Sequence, residues 1–564
     1  MVLPYPRQVV DVMFPALRLP EWLTSAVAAF ILIGFPFALI FAWAFEMTPE
    51  GIKREKDVDR SESITPHTGQ KLNRTALIVL GLAVAFLLVD KFALQPEGGS
   101  NDEAVVTTET KPSIAVLPFV NMSDDSDNEY FSDGLSEELL NVLAKIPQLH
   151  VAGRTSSFKF KDTNEDLRLI GEALNVEHVL EGSVRKSGPR LRITAQLIDT
   201  ENGYHLWSDT YDRDLTDIFA VQDEIAGHVV EALKVHLLGE EVAAANRGTT
   251  NTDAYNQFLR GSYFLQHTSV ENIEKSVEAF ETAVQIDPTF ARGYTGLAVA
   301  LHQKYGGWAS SSGGAFIENF EKIREVVDKA VELDPDSADT LIAQTIVAQI
   351  IDWDLPGSNA LTARAVELEP NNAIVLDWHG SGLTFASRFA EAESALKAAL
   401  EIDPLSITAI RGLGDLYMVS DRCDLAIETY ERALSLSENS GRLYGRIARC
   451  KFFQGDIEAA KTYNAREPVV WVRETNDIIF MGLEGRTEEW LATVAEYEER
   501  YGLGNSYQMA EIYAAAGDLD NAFLWLGKTK EVLDPGAPWA LVIPFFDEAR
   551  KDPRWQEYRA SFNL

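Results

Sequence analysis

The chain has 564 residues and carries 86 Asp and Glu against 50 Lys and Arg, a formal net charge of −36. That length allows several domains, and the acidity argues against a nucleic-acid partner, because phosphate contacts need clustered Lys and Arg and no long basic stripe follows residue 112. Two cysteines, Cys423 and Cys450, are too few for a disulfide framework and lack zinc-site spacing.

In chain order, Val9 to Leu17 is apolar but too short to cross a bilayer. Leu23 to Phe45 has no charge and is long enough to span, with Trp22 and Trp43 near its ends and Gly34 and Pro36 at an expected kink. It is too long for a signal-peptide core and no small-residue cleavage site follows, so it reads as a retained anchor. A second uncharged stretch, Thr75 to Val89, extends through Asp90 and Lys91 to Leu94 and reaches the roughly 20 residues of a spanning helix. Between the two lie Lys53, Arg54, Lys56, Arg60, Lys71 and Arg74, whereas Gln95 to Ser113 has only Lys111. Basic loops stay cytoplasmic. The sequence therefore predicts a membrane anchor over 1–94, with spans at about 23–45 and 75–94 in the lipid bilayer and a cytoplasmic loop at 46–74. A polar linker at 95–112 follows, and everything after it lies across the membrane from the basic loop.

Ser113 opens an α/β pattern that runs to residue 240. SIAVLPF reads as a buried strand, FSDGLSEELLNVLAKI as a helix capped by Ser132 or Asp133, LHVAGRT as a strand and DLRLIGEALN as a helix. HVLEGSVRKSG and RLRITAQLIDT form a hairpin turning near Ser187 and Gly188, and Leu191, Ile193, Ala195 and Leu197 alternate at the period of a half-buried strand. A long helix, Ile218 to Leu238, closes the unit.

Residues 250–564 are helical and repetitive. The segments AVQIDPTF, AVELDPDS, AVELEPNN, ALEIDPLS and ALSLSENS start at Ala283, Ala330, Ala365, Ala399 and Ala433, spaced 47, 35, 34 and 34 residues. The tetratricopeptide period is 34, and the long first interval accommodates an insertion, GGWASSSGGA, at Gly306 to Ala315. Leu413, Gly414, Tyr417, Ala426, Tyr430 and Ala433 fall at the repeat's packing positions, and about seven helical pairs are expected. FFDEARKDPRW, from Phe545, reads as a closing cap with a polar outer face. The predicted fold is thus multidomain: transmembrane helices, a small α/β domain, then an all-α tetratricopeptide-repeat solenoid.

The succession SIAVLPFVNMSDD, NEYFSDGLSEELLNVLAKI, VAGRTSSFKFK, HVLEGSVRKSG, LRITAQLIDTENGYHLWSDTYDR and IFAVQDEIA resembles the TolB amino-terminal-like (FlgO-like) domain of bacterial membrane-anchored proteins with tetratricopeptide repeats. FAWAFEMTPEGIKREKDVDRS resembles the membrane part of the same proteins. In them another spanning helix usually comes first, so the resemblance implies that Val9 to Leu17 is the tail of a missing helix. Some of these proteins carry a nucleotide-cyclase or winged-helix domain, and the resemblance extends to signalling. A cyclase needs paired metal-binding carboxylates in a sizeable α/β domain, for which the assigned segments leave no room.

No catalytic, cofactor or metal site is predicted. His228 and His236 are eight residues apart on one helix, too far for a shared ligand site. His379 lies on a repeat helix, where packing is the default reading, and Glu137 and Glu138 point to different helix faces. The insertion at Gly306 to Ala315 lacks a phosphate-loop lysine. Repeat arrays bind a protein or peptide partner along a concave face lined by the first helix of each pair, and the packing register assigns Asp377, Ser381, Arg411 and Asp415 to that face. Cys423 and Cys450 fall level on adjacent helices, which leaves open two packed thiols or, in an oxidising periplasm, a disulfide. The resulting reading is a non-enzymatic, membrane-anchored binding or sensing platform. The alternative is a signalling component that senses in the periplasm and acts on a cytoplasmic cyclase or regulator.

Overall fold

A computed structural model describes residues 45–48, 51–54, 112–146, 148–233, 248–267, 269–307, 316–437, 442–484 and 487–564. The chain divides into two compact units, Met1–Thr107 and Thr108–Leu564. In the first unit the described residues form an antiparallel hairpin, β1 (Phe45–Thr48) with β2 (Gly51–Arg54), pairing Phe45 with Arg54 and Thr48 with Gly51. Phe45, expected at the end of a span, is therefore a strand residue, and the expected loop begins in β structure. Apart from Phe45, the two expected spans lie outside the described residues. Among the described residues no helix is long and apolar enough to cross a membrane.

The second unit begins with a mixed sheet. β3 (Ser113–Val116) pairs in parallel with β5 (His150–Val151) and β6 (His178–Ser187), and the short β4 (Val120–Asn121) also runs parallel to β6. β6, β7 (Arg190–Asp199) and β8 (His205–Asp214) form an antiparallel meander, giving the order β5-β3-β6-β7-β8. The hairpin expected near Ser187 is present, with Ser187 paired to Arg190 and Gly188 at φ +57°. Strand alternation sorts the side chains by face. Ile114, Val116, Leu180, Leu191, Ile193, Ala195 and Leu197 join a core shared with α1 (Glu129–Ala144) and α4 (Ile218–Ala232). Ala115, Leu117 and Val179 pack on the opposite face against α3 (Leu167–Leu174).

Ser132 and Asp133 do not cap α1, because the helix begins at Glu129, earlier than the pattern suggests. A 3-10 turn at Ser126–Asn128, whose Asp127 N–H is accepted by the Asp125 side chain, feeds directly into Glu129. Ser132 and Asp133 are consequently buried inside the helix, where Asp133 accepts from Lys161 at 2.7 and 2.8 Å.

Sixteen repeat helices then stack as eight pairs among the described residues. They are α5 (Thr252–Gln266) with α6 (Val270–Ile286), α7 (Ala291–His302) with α8 (Phe316–Leu333), α9 (Ala338–Ile346) with α10 (Leu355–Leu368), and α11 (Ala373–Phe385) with α12 (Phe389–Ile402). The later four are α13 (Ile407–Val419) with α14 (Cys423–Leu436), α15 (Leu443–Phe453) with α16 (Ile457–Asn464), α17 (Val470–Leu483) with α18 (Thr487–Tyr501), and α19 (Ser506–Ala515) with α20 (Leu519–Glu531). These helices form a tetratricopeptide-like solenoid. The alanines that open the recurring segments, Ala283, Ala330, Ala365, Ala399 and Ala433, are fully buried. The close approach that the sequence assigned to Gly414 has a definite partner: a Cβ there would lie 2.4 Å from Tyr430 Cε1. Most of the expected insertion, residues 308–315, lies outside the described residues.

Sequence reading separates the α/β domain from the array, but the structure joins them in one unit. One hydrophobic cluster runs continuously from the sheet through α1 and α4 into Tyr255, Phe258, Phe280 and Leu297 of the first two pairs. Polar contacts continue the junction along the loops that connect successive pairs. Arg292 donates to both oxygens of buried Glu138, at 2.7 and 2.8 Å. Asp403, directly after α12, accepts from the backbone N–H groups of Thr155 (3.1 Å) and Ser156 (2.8 Å) and from the Ser156 hydroxyl. It thereby caps α2 (Arg154–Phe158), a helix about 250 residues earlier in the chain.

The C-terminal segment also departs from expectation. Instead of only shielding the last pair, it folds back over first helices of earlier pairs through three 3-10 turns and α21 (Trp555–Ala560). Trp539 meets Phe385 of α11 edge-on at 5.2 Å, Phe545 lies 4.8 Å from Phe453 of α15, and Phe562 stacks on Trp353 at 4.4 Å. Phe546 and Phe562 are completely buried. The segment's aromatic content makes this placement favourable, since each ring removes a large apolar area from water.

Candidate functional site

First helices of successive pairs pack against one another, and the four residues assigned to an inner face behave differently from one another. Asp377, Ser381 and Arg411 are half-buried on α11 and α13. A Cβ at Gly412, beside Arg411, would sit 3.2 Å from Asp377 Oδ1 and 3.6 Å from Ser381 Oγ, so the two side chains converge on that point. Burial raises the Asp377 carboxyl above its ordinary range, opposed by Arg411 and a hydrogen bond from Thr408. Asp415 is not available to a partner. It is buried and accepts from Tyr430 Oη at 2.6 Å and from Arg446 through Nε and Nη2, the latter at 3.2 Å. The helix register carried no information about Arg446, thirty-one residues later, which claims Asp415.

The features that the packing register missed lie two pairs further on. Arg442, Arg446 and Arg449 are spaced i, i+4, i+7 at and within the start of α15, a pattern that puts them on one helical face. With Met418 of α13, Trp471 and Val472 of α17, Tyr507 and Gln508 of α19 and the turn at Asp534–Gly536 with Trp539, they line a cavity of about 160 Å³. The C-terminal segment thus forms one wall of a pocket whose other walls are first helices. Gly445 and Gly536 make the fit possible, since a Cβ at either would lie 2.7 Å from Val472 Cγ1 or Tyr507 Cδ1.

Carboxylates around this cavity are committed to the protein's own donors. Glu511, fully buried, takes both guanidinium nitrogens of Arg449 at 2.7 and 2.8 Å and the Tyr507 hydroxyl at 3.0 Å. Glu467 accepts the backbone N–H groups of Arg442, Gly445 and Val469, each at 2.9 Å. Asp534 accepts from the Ser506 hydroxyl and from the N–H groups of Tyr507 and Gly536 at 2.8–2.9 Å. The Arg442 guanidinium lies over the Trp471 ring, 4.9 Å from its centroid. Burial, with Arg446 and Arg411 nearby, pulls its pKa down to about 10. Arg442 also has a left-handed backbone, φ +74°, unusual for a residue with a side chain.

The other sequence candidates are occupied in packing. His228 Nδ1 lies 3.0 Å from Tyr211 Oη, and His379 Nδ1 lies 2.9 Å from Thr362 Oγ1. His236 falls outside the described residues. Glu137 pairs with Arg154 at 2.9 Å. Cys423 and Cys450 are both buried free thiols whose side chains hydrogen-bond to each other, with no disulfide between them. Among the described residues no group of three His, Cys, Asp or Glu is arranged to hold a metal ion.

Residues 109–228 match the family described as HilA/YgeH-like transcriptional regulator, second domain. The chain is 40% identical over 227 residues to a Rhizobium meliloti protein named "Putative adenylate cyclase 3", covering 40% of this chain and 38% of that one. It is 24% identical over 275 residues to superkiller protein 3 of Schizosaccharomyces pombe, covering 47% of this chain and 17% of that protein. The chain therefore spans well under half the length of these curated relatives. Among solved structures it is similar to Pseudomonas aeruginosa PilF, at 19% identity and a TM-score of 0.27 over 49% of this chain and 98% of that one. It is also similar to YrrB, described as a TPR protein with an unusual peptide-binding site, at 16% identity and a TM-score of 0.25 over 35% of this chain and 96% of that one.

Proposed function

We propose that this chain is a non-enzymatic protein-binding platform, held in a bacterial inner membrane by its N-terminal spans with the α/β domain and the array in the periplasm. The observation that carries the binding role is the cavity on the inner face of the array, lined by Arg442, Arg446, Arg449, Trp471 and Trp539. It joins cationic and aromatic side chains, the residue types enriched where protein partners bind. The membrane placement rests on the two apolar stretches and on the excess of Lys and Arg between them. Within this reading residues 113–240 are a TolB amino-terminal-like domain, and Asp377, Ser381 and Arg411 extend the partner surface beyond the cavity. The net charge of −36 disfavours nucleic acid. Affinity capture with residues 111–564 tests the platform, and recovery of no specific protein would refute it. A reporter fused after Leu564 tests the placement, and activity confined to the cytoplasm would refute that.

A second reading is favoured by the 40% identity to the protein named as an adenylate cyclase. Here the periplasmic part senses, and residues 46–74 pass the signal to a cytoplasmic cyclase or regulator on another chain. Cross-linking from that loop is expected to recover such a partner, and failure to do so counts against this version.

A further inference from the structure

Cys423 and Cys450 meet where α14 begins and α15 ends, in the hydrophobic cluster that runs from Trp353 to Phe562. A second contact holds the same two helix ends level: Gln454 Nε2 donates to Asp424 Oδ1 at 2.7 Å. The two thiols are not equivalent. Cys423 is 7% exposed and Cys450 is fully buried, so a dissolved reagent reaches Cys423 first. Cys423 is also the first residue of the 14-residue α14, where the helix dipole favours negative charge on sulfur. The hydrogen bond from Cys450 holds the Cys423 thiol below its ordinary range, against partial burial and the charges of Asp421 and Asp424. The same hydrogen bond, with burial, pushes the Cys450 thiol up. An outer thiol that ionises readily, in contact with an inner one shielded from solvent, supplies the two roles of thiol–disulfide exchange: an attacking sulfur and a resolving sulfur.

We infer that Cys423 and Cys450 form a thiol-oxidation site whose co-reactant is a small soluble disulfide. The Cys423 thiolate attacks one sulfur of the reagent, the reagent's S–S bond breaks, and one thiolate leaves. Cys450 then gives up its proton, its sulfur attacks Cys423 Sγ, and the second thiolate leaves. The two departing thiolates take up the two protons, so the reagent is reduced to two thiols while the chain's two thiols become one disulfide. That bridge ties the end of α15 to the start of α14. The same end carries Phe452 and Phe453, whose rings lie 6.0 and 4.8 Å from Phe545, so oxidation pins the point where the C-terminal segment docks. The inference concerns the array alone and does not rest on the membrane placement or on a partner. An oxidising compartment populates the bridged form and a reducing one the dithiol.

Incubating the full-length, folded protein with oxidised glutathione tests it, read by intact mass and by peptide mapping without reductant. Wild type is expected to lose the mass of two hydrogens, with the Cys423 and Cys450 peptides joined and no glutathione retained. Cys450→Ala should hold one glutathione on Cys423, because nothing resolves the mixed disulfide. Cys423→Ala should stay unmodified while folded and take up glutathione in denaturant. Hydrogen exchange at residues 449–454 should slow by about tenfold in the oxidised wild type. Folded wild type that keeps both thiols free, or that accumulates a stable glutathione adduct, would overturn the site, and this arm needs neither variant to fold. Faster uptake of glutathione by folded Cys423→Ala than by folded Cys450→Ala would overturn the assigned roles. A bridge that leaves exchange at 449–454 unchanged would overturn the pin on α15.

Discussion

Asp403→Ala should loosen α2 from the array while leaving the core shared by the α/β domain and the first pairs intact. In the native protein this carboxylate, 5% exposed, is the acceptor for the Thr155 and Ser156 N–H groups and for the Ser156 hydroxyl. Losing an N-cap costs about 1 kcal/mol, and a buried donor left without an acceptor costs about 1–3 kcal/mol. Because Thr155 and Ser156 share one carboxylate, their losses overlap, and a total of about 3 kcal/mol is expected by these figures. At 1.4 kcal/mol per tenfold, that corresponds to roughly a hundredfold faster hydrogen exchange at the start of α2. Exchange mass spectrometry on a peptide covering Gly153–Phe158 reads this directly, and Asp403→Asn, which keeps one acceptor oxygen, should fall between. Asp287 occupies the same place in the first recurring segment but accepts from Thr249 and Thr289. Asp287→Ala should therefore leave exchange at Gly153–Phe158 unchanged. Native exchange in folded Asp403→Ala, or equal acceleration by Asp287→Ala, would refute the proposed clasp.

Arg449→Met leaves Glu511 buried and uncompensated, and should cost about 3–5 kcal/mol in denaturant unfolding, with part recovered by adding Glu511→Gln. Gly414→Ala forces a Cβ to 2.4 Å from Tyr430 and should cost about 1–3 kcal/mol. Gly227→Ala, on a helix with nothing within 4 Å of the new methyl, should be neutral or stabilise by about 0.5–1 kcal/mol. His302 is held neutral by burial, its pKa lowered to about 4 from 6.5. The unfolded chain takes up the proton first, so this contribution is fully present above pH 6.5 and is lost as pH falls toward 4; His302→Phe should flatten the slope in that window. Glu138, whose pKa lies below 4.5 because Arg292 outweighs its burial, acts lower: its contribution is present above 4.5 and declines below it, and Glu138→Gln should remove that decline.

The amino-acid sequence by itself determined the repeat period, the helix-ending segments and the close-packed small residues, because a solenoid is built from local pairs whose spacing is written along the chain. It determined the strands at Ser113, His178 and Arg190 for the same reason: alternation over a few residues selects one face of a sheet. Tertiary structure alone decided which partner each polar residue meets. Asp415 was assigned to a binding face by its helical phase, yet Arg446 and Tyr430 occupy it. Asp403 had the look of an ordinary repeat-loop residue, yet it caps a helix in another domain. The Arg442, Arg446 and Arg449 stripe was legible as spacing, but the cavity exists only because the aromatic C-terminal segment folds back to form its last wall. Periodicity reports the neighbours within a pair; contacts between segments hundreds of residues apart depend on shape and charge that appear only after the helices have stacked.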